Sequence, residues 1–176
     1  MFTTEGSAGG MRVDPGELAD REAIREVAFR YARGVDRLDA EVMRSAYWPE
    51  ATDDHGRFSG NGWEFVDRVM ATHGRWRATM HCNMNHSIEF DAGGRSARGE
   101  ISNLTYLLPD DDSPWSLWVG RYLDRYEKRG DEWRIIHRVC VHTGTTTLPS
   151  SPMAMDPSVF RQGSFDRPDP GRLLGP

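Results

Sequence analysis

The feature that most constrains the fold of this chain is a series of long strand patterns in its second half. In each pattern apolar and polar residues alternate, which is typical of a strand with one buried face. The patterns cover residues 79–90, 96–108, 115–126 and 133–143. Short turns join antiparallel neighbours, and such a sheet commonly twists and buries one side. The sequence therefore predicts a curved antiparallel sheet.

Three helical patterns precede these strands. The first begins at the N-cap Asp14 and runs to about residue 38, with apolar residues at three- and four-residue spacing. A second, short helix begins after Asp39 and ends at Trp48-Pro49, and a third begins after Asn61. Residues 52–62 are predicted to form a polar loop. Helices followed by strands indicate an α+β fold in which the helices cover one side of the sheet.

The two ends of the chain differ in composition from the middle. Residues 1–13 are rich in Gly, Ser and Thr, and we expect them to be disordered. Residues 145–176 are rich in Pro, Ser, Asp and Gly, which indicates an irregular tail. A single domain is therefore expected over residues 14–144.

Charge and hydropathy exclude several kinds of partner. The net charge is −5 and no block of Lys or Arg occurs, so no nucleic-acid partner is expected. No apolar run approaches the length of a membrane span, and the first residues lack a signal pattern, which predicts a cytoplasmic protein without a membrane partner. The two cysteines, Cys82 and Cys140, lie in strand patterns and are expected to be reduced and buried.

The strand pattern at residues 79–90 carries candidate catalytic side chains. Its apolar members are Met80, Cys82, Met84, Ile88 and Phe90. A regular strand places His81, Asn83 and Asn85 on the opposite face. If that face met water, these residues would need no explanation. If it faces a cavity, His81 is a candidate general base.

Asp36 is the second candidate, because it lies beside the apolar face of the first helix near its C-terminal end. The helix dipole favours basic groups at that end, so a carboxylate there indicates a specific partner.

No motif for a metal or cofactor is present in the sequence. The pairs His81/His86 and His137/His142 are each five residues apart, which in a regular strand puts the members on opposite faces. Neither a zinc-protease motif, nor a Gly-rich phosphate loop, nor a nucleophilic Ser elbow occurs. We therefore expect no metal and no cofactor.

Three segments together resemble a known superfamily. The first helix contains L-x-x-R-x-x-I ending in Y-x-x-x-x-D, at Leu18, Arg21, Ile24, Tyr31 and Asp36. The first strand contains T-x-H-x-x-x-N-x-x-I, at Thr79, His81, Asn85 and Ile88. The last hairpin contains G-x-Y-x-D-x-Y followed by W-x-I-x-x-R, at Gly120, Tyr122, Asp124, Tyr126, Trp133, Ile135 and Arg138. Over residues 14–143 this order resembles the SnoaL-like branch of the nuclear transport factor 2-like superfamily.

The pattern is nearest to scytalone dehydratase, bile-acid 7α-dehydratase and hexachlorocyclohexane dehydrochlorinase. The resemblance implies a cone-shaped curved sheet whose N-terminal helices close a central pocket, an α+β barrel. It implies that His81 and Asp36 form a catalytic pair, that Tyr31 lines the pocket and that Arg138 lies near the site. The residues grouped with them as substrate-binding candidates are His55, Asn83, Asn85 and His142.

The activity implied by the resemblance is a cofactor-independent lyase reaction, a dehydratase-like elimination on a small, largely apolar cyclic substrate. Two alternatives remain open from the sequence. One is an isomerase or polyketide-type cyclase that uses the same His–Asp dyad, and the other is a non-catalytic binding or subunit-assembly module. The superfamily also implies a homo-oligomer, either a dimer or a trimer.

Each candidate residue also has a purely structural interpretation. His81 could be a hydrogen-bonded structural histidine, Asp36 a cap for the next turn, and Tyr31 a core residue. Arg138 could form a salt bridge with Asp124 or Glu127 across the last hairpin. His55 could be an ordinary loop residue, whereas His142 shares the face of Arg138 and could be a second polar group in the pocket.

Overall fold

The computed structural model describes residues 14–150, 155–156, 158–163 and 165. The expected disordered N-terminus, 1–13, and much of the expected tail lie outside the described residues. The elements in chain order are α1 (Pro15–Asp36), α2 (Ala40–Arg44), β1 (Tyr47–Asp54), β2 (Ser59–Asn61), α3 (Gly62–Thr72), a 3₁₀ turn (His73–Arg75), β3 (Ala78–Phe90), β4 (Ser96–Leu108), β5 (Trp115–Arg129) and β6 (Glu132–Leu148).

One six-stranded sheet forms the body of the fold, in the order β2-β1-β6-β5-β4-β3. The α+β class with a curved sheet is confirmed, and the antiparallel ladder from β3 to β6 follows the strand patterns of the sequence. One pairing differs from the expectation, because β1 runs parallel to β6 and makes the sheet mixed.

Strand β1 replaces two predicted elements, the end of the second helix and the start of the polar loop. Pro49 is compatible with a strand here because it falls in a gap of the ladder, between the pairs Tyr47–Ile135 and Thr52–His137. The second half of β1 contains Asp53 and Asp54, and these carboxylates locally favour a loop. Tyr47, Ala51 and Asp53 are buried on the side that faces the core.

The three helix starts are where capping residues predict them. The Asp14 side chain accepts hydrogen bonds from the backbone of the first turn of α1. Asp39 caps α2 through the amide of Val42 at 3.1 Å, and Asn61 caps α3 through the amide of Trp63 at 2.8 Å. Among the described residues, no helix is long and apolar enough to cross a membrane.

Helix α1 lies across the concave side of the sheet and contacts β3 and β6. Ile24, Val27 and Val35 are fully buried on this face, as their helical spacing predicts. Gly34 allows α2 to cross closely, because a Cβ at this position would lie 2.5 Å from the backbone nitrogen of Met43. The close crossing fixes the C-terminal end of α1, where Asp36 lies.

A β-bulge divides β3 into two halves with opposite phase. Asn83 pairs with Asn103 but His86 pairs with Ile101, so β3 has one extra residue between them. The regular alternation predicted from the sequence is therefore wrong at this point. Met80, before the bulge, and Met84, within it, point outward and are 57% and 49% exposed. After it, His86 lies on the inner face with His81, the reverse of what the five-residue spacing predicted.

A bulge near Ile136 in β6 changes which residues share a face with Arg138. Asp124 pairs with Arg138, but Tyr126 pairs with Ile135, so one residue of β6 is extra. Arg134 and Ile136 consequently do not share the inner face with Arg138, where a regular strand would place all three. β6 also continues to Leu148, beyond the predicted strand end.

Candidate functional site

The concave side of the sheet, together with α1 and α3, forms a cavity of about 210 Å³. Its wall is mainly aromatic and aliphatic, with several imidazoles among these groups. The lining residues are Tyr31, Val35, His55, Phe65, Val69, His73, His81, Thr105, Leu107, Trp118, Tyr122 and Cys140. Three of the predicted site residues, Tyr31, His55 and His81, therefore lie on one cavity.

Asp36 and His81 form a hydrogen-bonded pair at this wall. Asp36 Oδ1 accepts from His81 Nδ1 at 2.6 Å and from Thr79 Oγ1 at 2.8 Å. Asp36 Oδ2 accepts from the backbone amide of His81 at 2.8 Å. Because the carboxylate holds Nδ1, the ring nitrogen available to a molecule in the cavity is Nε2. The geometry that the resemblance implied for these two residues is present.

A second carboxylate–imidazole pair faces the same cavity. His55 Nδ1 makes a very short contact with Asp53 Oδ1, and Tyr47 donates its hydroxyl hydrogen to Asp53 Oδ2 at 2.6 Å. The Asp53 side chain is fully buried. The His55 ring stacks on Phe65, with ring centroids 4.1 Å apart. Sequence reasoning missed Asp53 because it placed residues 52–62 in a loop, whereas in a strand the spacing D-x-H puts both side chains on one face.

Tyr31 lies between the two imidazoles. Its hydroxyl is 3.4 Å from His55 Nε2, and its ring meets His81 edge-on with centroids 6.5 Å apart. Burial raises the pKa of Tyr31 well above its usual value, with a further contribution from Tyr122. The phenol therefore stays protonated and acts as a hydrogen-bond donor to whatever it faces.

Arg138 lies beneath the cavity rather than in its lining. Its guanidinium is fully buried and donates to both carboxylate oxygens of Asp124, at 2.7 and 2.6 Å. It also lies over the rings of Tyr31 and Tyr122, at 4.1 and 4.2 Å from their centroids. Of the two salt bridges considered from the sequence, the one with Asp124 is present.

Three predicted substrate-binding residues do not line the cavity. Asn83 donates to the carbonyl oxygen of Ala28 at 3.0 Å and accepts from Asn103 at 2.9 Å, so it joins α1 to the sheet. Asn85 lies at the bulge of β3 and is exposed. His142 lies past the cavity, exposed and hydrogen-bonded to Thr145 at 2.7 Å. The bulge of β3 turns Asn85 away from the cavity, whereas Asn83 is taken up by its contacts with α1 and β4.

His73 and Cys140 line the cavity although no sequence pattern singled them out for this role. Burial, followed by the nearby His81, lowers the pKa of His73 to about 4. Burial raises the pKa of Cys140 to about 12, so its thiol is not ionised near neutral pH. His73 therefore presents a neutral imidazole and Cys140 a small apolar surface. Among the described side chains, no group of three or more His, Cys, Asp or Glu is placed to hold a metal ion.

Comparisons with known proteins agree with the fold. A family profile described as a SnoaL-like domain matches residues 16–139. A hexachlorocyclohexane dehydrochlorinase of type 3 from Novosphingobium barchaimii superposes with a TM-score of 0.71 at 21% identity, covering 82% of this chain and 100% of that chain. A proposed scytalone dehydratase from Novosphingobium aromaticivorans gives 0.66 at 20% identity, covering 78% and 97%.

A third solved structure, a nuclear transport factor 2-like superfamily protein from Salmonella enterica serovar Typhimurium, gives a TM-score of 0.63 at 19% identity. It covers 77% of this chain and 94% of its own. No curated protein sequence matches this chain significantly. At these identities the solved structures establish the shared fold.

Proposed function

This chain belongs to the SnoaL-like domain family, and we propose that it is a cofactor-independent lyase that eliminates a leaving group from a small cyclic substrate. The observation that carries the proposal is the pair Asp36–His81, in which the carboxylate holds Nδ1 of an imidazole that lines a mainly apolar cavity. Such a pair is suited to abstract a proton from carbon.

An elimination removes a proton from one carbon and a leaving group from its neighbour. The base must be neutral before this step and cationic after it, and histidine satisfies this condition near neutral pH. Asp36 fixes the His81 tautomer and stabilises the imidazolium that forms, as carboxylates do in hydrolase triads. Because Asp36 also accepts from Thr79 and from the His81 amide, its position is fixed by three hydrogen bonds.

The size of the cavity favours a substrate with one ring. Its volume of about 210 Å³ exceeds the roughly 150 Å³ of a cavity known to accommodate benzene. The flat surfaces of Trp118 and Tyr122, whose rings stack with 6.3 Å between centroids, form one side. We therefore propose a single six-membered ring with small polar substituents rather than a polycyclic molecule.

The structural neighbours support elimination as the class of reaction. One is named a hexachlorocyclohexane dehydrochlorinase and another a proposed scytalone dehydratase. The first name describes the loss of hydrogen chloride and the second the loss of water. The same chemistry is the simplest use of a single positioned base in an apolar cavity.

The proposal is tested by incubating the protein with cyclic β-hydroxy ketones, beginning with 3-hydroxycyclohexanone, and measuring the enone by absorbance and mass spectrometry. We expect the variant His81→Ala to lose at least ~10²-fold in kcat, since positioned bases contribute about that much or more. Asp36→Asn is expected to lower kcat in the same direction. His142→Ala, which changes an exposed histidine outside the cavity, is the matched control and is expected to behave like the unaltered protein. Full activity of a folded His81→Ala variant would overturn the assignment.

An isomerase or cyclase with the same dyad is the second candidate. It is favoured by the second imidazole at the cavity, His55, because a proton taken by one histidine could be returned to the substrate by another. The products distinguish the two, since isomerisation leaves the mass unchanged and dehydration lowers it by one water. A non-catalytic binding protein would instead show ligand binding that is insensitive to the replacement of His81 by Gln and no turnover.

A further inference from the structure

Two carboxylate–imidazole pairs share one cavity, and only Asp36–His81 is used by the proposed function. In the second pair, the Asp53 carboxylate lies at the end of β1 and contacts His55 Nδ1. The His55 side chain is 17% exposed and lines the cavity, whereas Asp53 is fully buried. A buried carboxylate is costly unless it is hydrogen-bonded and compensated by charge.

The two carboxylates differ in how their charge is compensated. Asp36 accepts from two neutral donors, Thr79 Oγ1 and the amide of His81, in addition to His81 Nδ1. Asp53 accepts from one neutral donor, the Tyr47 hydroxyl, in addition to His55 Nδ1. The buried Arg138 forms its bidentate pair with Asp124 instead. Asp53 therefore has fewer neutral donors than Asp36 and depends more on His55 as its partner.

Tyr31 connects this pair to the rest of the cavity. Its hydroxyl lies 3.4 Å from His55 Nε2, a long contact of a kind that commonly shortens when a substrate binds. Because burial raises the pKa of Tyr31, its phenol does not give up a proton alone. A transfer in which His55 replaces the proton at the same moment leaves no phenolate in the buried site.

We propose that Asp53, His55 and Tyr31 form the acid half of the site, opposite the base His81, and deliver a proton to the leaving oxygen of a hydroxylated ring. The proposal rests on the proposed lyase function and specifies its leaving group. A hydroxyl leaves as water only when it is protonated, whereas a halide leaves as an anion and needs no acid.

The proton transfers balance in one turnover. His81 Nε2 takes the proton from the substrate carbon, whose electrons form the new double bond as the C–O bond breaks. Tyr31 Oη gives its hydrogen to the departing oxygen, which leaves as water, and His55 Nε2 gives its proton to Tyr31 Oη. His81 then releases its proton to solvent and His55 takes one up, so the protein returns to its initial state.

A pair of probes that differ only in the leaving group tests this assignment. The pair is 3-hydroxycyclohexanone, which loses water, and its acetate ester, which loses acetate; both give the same enone. We expect His55→Gln to reduce kcat on the alcohol at least ~10²-fold, within the range of general acid catalysis, and to reduce it at least tenfold less on the acetate. Asp53→Asn, which retains His55 and removes the charge, is expected to change the ratio in the same direction. His142→Gln is the control, and thermal unfolding checks that each variant is folded.

The variants separate the failure of the inference from the failure of the proposed function. Loss of both reactions in His81→Gln, with loss of the alcohol reaction alone in His55→Gln, supports both assignments. Equal losses on the two probes in a folded His55→Gln variant would overturn the acid role and leave the base intact. Retention of both reactions in His81→Gln would overturn the proposed function itself.

Discussion

At the scale of single residues, Arg138 is the clearest case of a side chain whose importance is structural rather than chemical. Its sequence position resembles that of a residue near the active site, and its guanidinium does lie under Tyr31. Yet it is fully buried, paired with Asp124 through two hydrogen bonds and covered by two aromatic rings. It supports the floor of the cavity and does not contact its contents.

Replacing Arg138 with Met is expected to lower the free energy of unfolding by about 3–5 kcal/mol, because it leaves the Asp124 carboxylate buried without its partner. The double variant Arg138→Met, Asp124→Asn is expected to recover a large part of this loss, since neither position then carries a buried charge. Urea unfolding of both variants measures the difference. Equal destabilisation of the single and the double variant would show that packing over Tyr31, and not charge, is the main contribution.

At the scale of elements, the bulge in β3 determines which side chains reach the cavity. Deleting Asn85 removes the extra residue and leaves Asn83 and His86 two positions apart, so both keep their partners on β4 and their inner face in a regular ladder. We expect a loss of less than about 2 kcal/mol in unfolding free energy, because Ile88, which is only 6% exposed, stays buried. Asn85→Ala retains the bulge and is expected to change stability by about 0.5 kcal/mol at most. Chemical unfolding measures both variants, and a loss of several kcal/mol in the deletion variant would show that the fold requires the bulge itself.

The elements that local chemistry defines could be predicted from the sequence. Asp14, Asp39 and Asn61 mark the starts of their helices because short polar side chains cap exposed amides, and each does so in the structure. The four long strands follow from alternation and turn residues. Asp36 and His81 were brought together only by the resemblance, since nothing in their spacing along the chain indicates contact.

Other features could not be predicted because tertiary contacts decide them. Apolar residues occupy even-numbered positions both before and after the bulge of β3, from Met80 to Met84 and again at Ile88 and Phe90. Only the polar run 85–87 interrupts this pattern, and a polar run does not by itself indicate a change of phase. β1 contains Pro49 and several carboxylates, which locally favour a loop, but pairing with β6 makes it a strand. Missing β1 also concealed the contact of Asp53 with His55.

At the scale of the whole molecule, two buried histidines make the free energy of unfolding depend on pH. Burial lowers the pKa of His86 to about 4, and that of His73 likewise, whereas an unfolded histidine titrates near 6.5. Between these values the unfolded chain binds protons that the native protein does not. The free energy of unfolding therefore falls as the pH decreases from about 6.5 towards 4.

The variant His86→Gln is expected to lose less stability than the unaltered protein when the pH is lowered from 7.5 to 5. His142→Gln, an exposed control, should show the same loss as the unaltered protein. Urea midpoints at the two pH values measure both effects. An unchanged pH dependence in His86→Gln would mean that His86 is not neutral in the native protein at pH 5.

The outer face of the sheet carries exposed apolar side chains that are suited to contact between subunits. Met80, Met84 and Leu123 are exposed there, and a depression of about 420 Å³ lies beside Leu123 and Val139. The family resemblance implies a dimer or trimer, and we propose that a second copy of the chain covers this face. Light scattering coupled to size-exclusion chromatography is expected to give a multiple of 20.0 kDa, and Leu123→Lys is expected to lower it. A monomer at all concentrations would contradict the proposal.

The division of the cavity wall between separate sets of residues has a consequence for how new specificities could arise. The groups proposed to move protons lie on α1, on β3 and at the end of β1, whereas Val69, Leu107 and Trp118 contribute apolar surface from other elements. A library randomised at these three positions would vary the shape of the chamber while leaving both histidines and their carboxylates untouched. Selection from such a library could therefore change which ring is accepted without rebuilding the reaction, so a small number of substitutions separates one substrate preference from another.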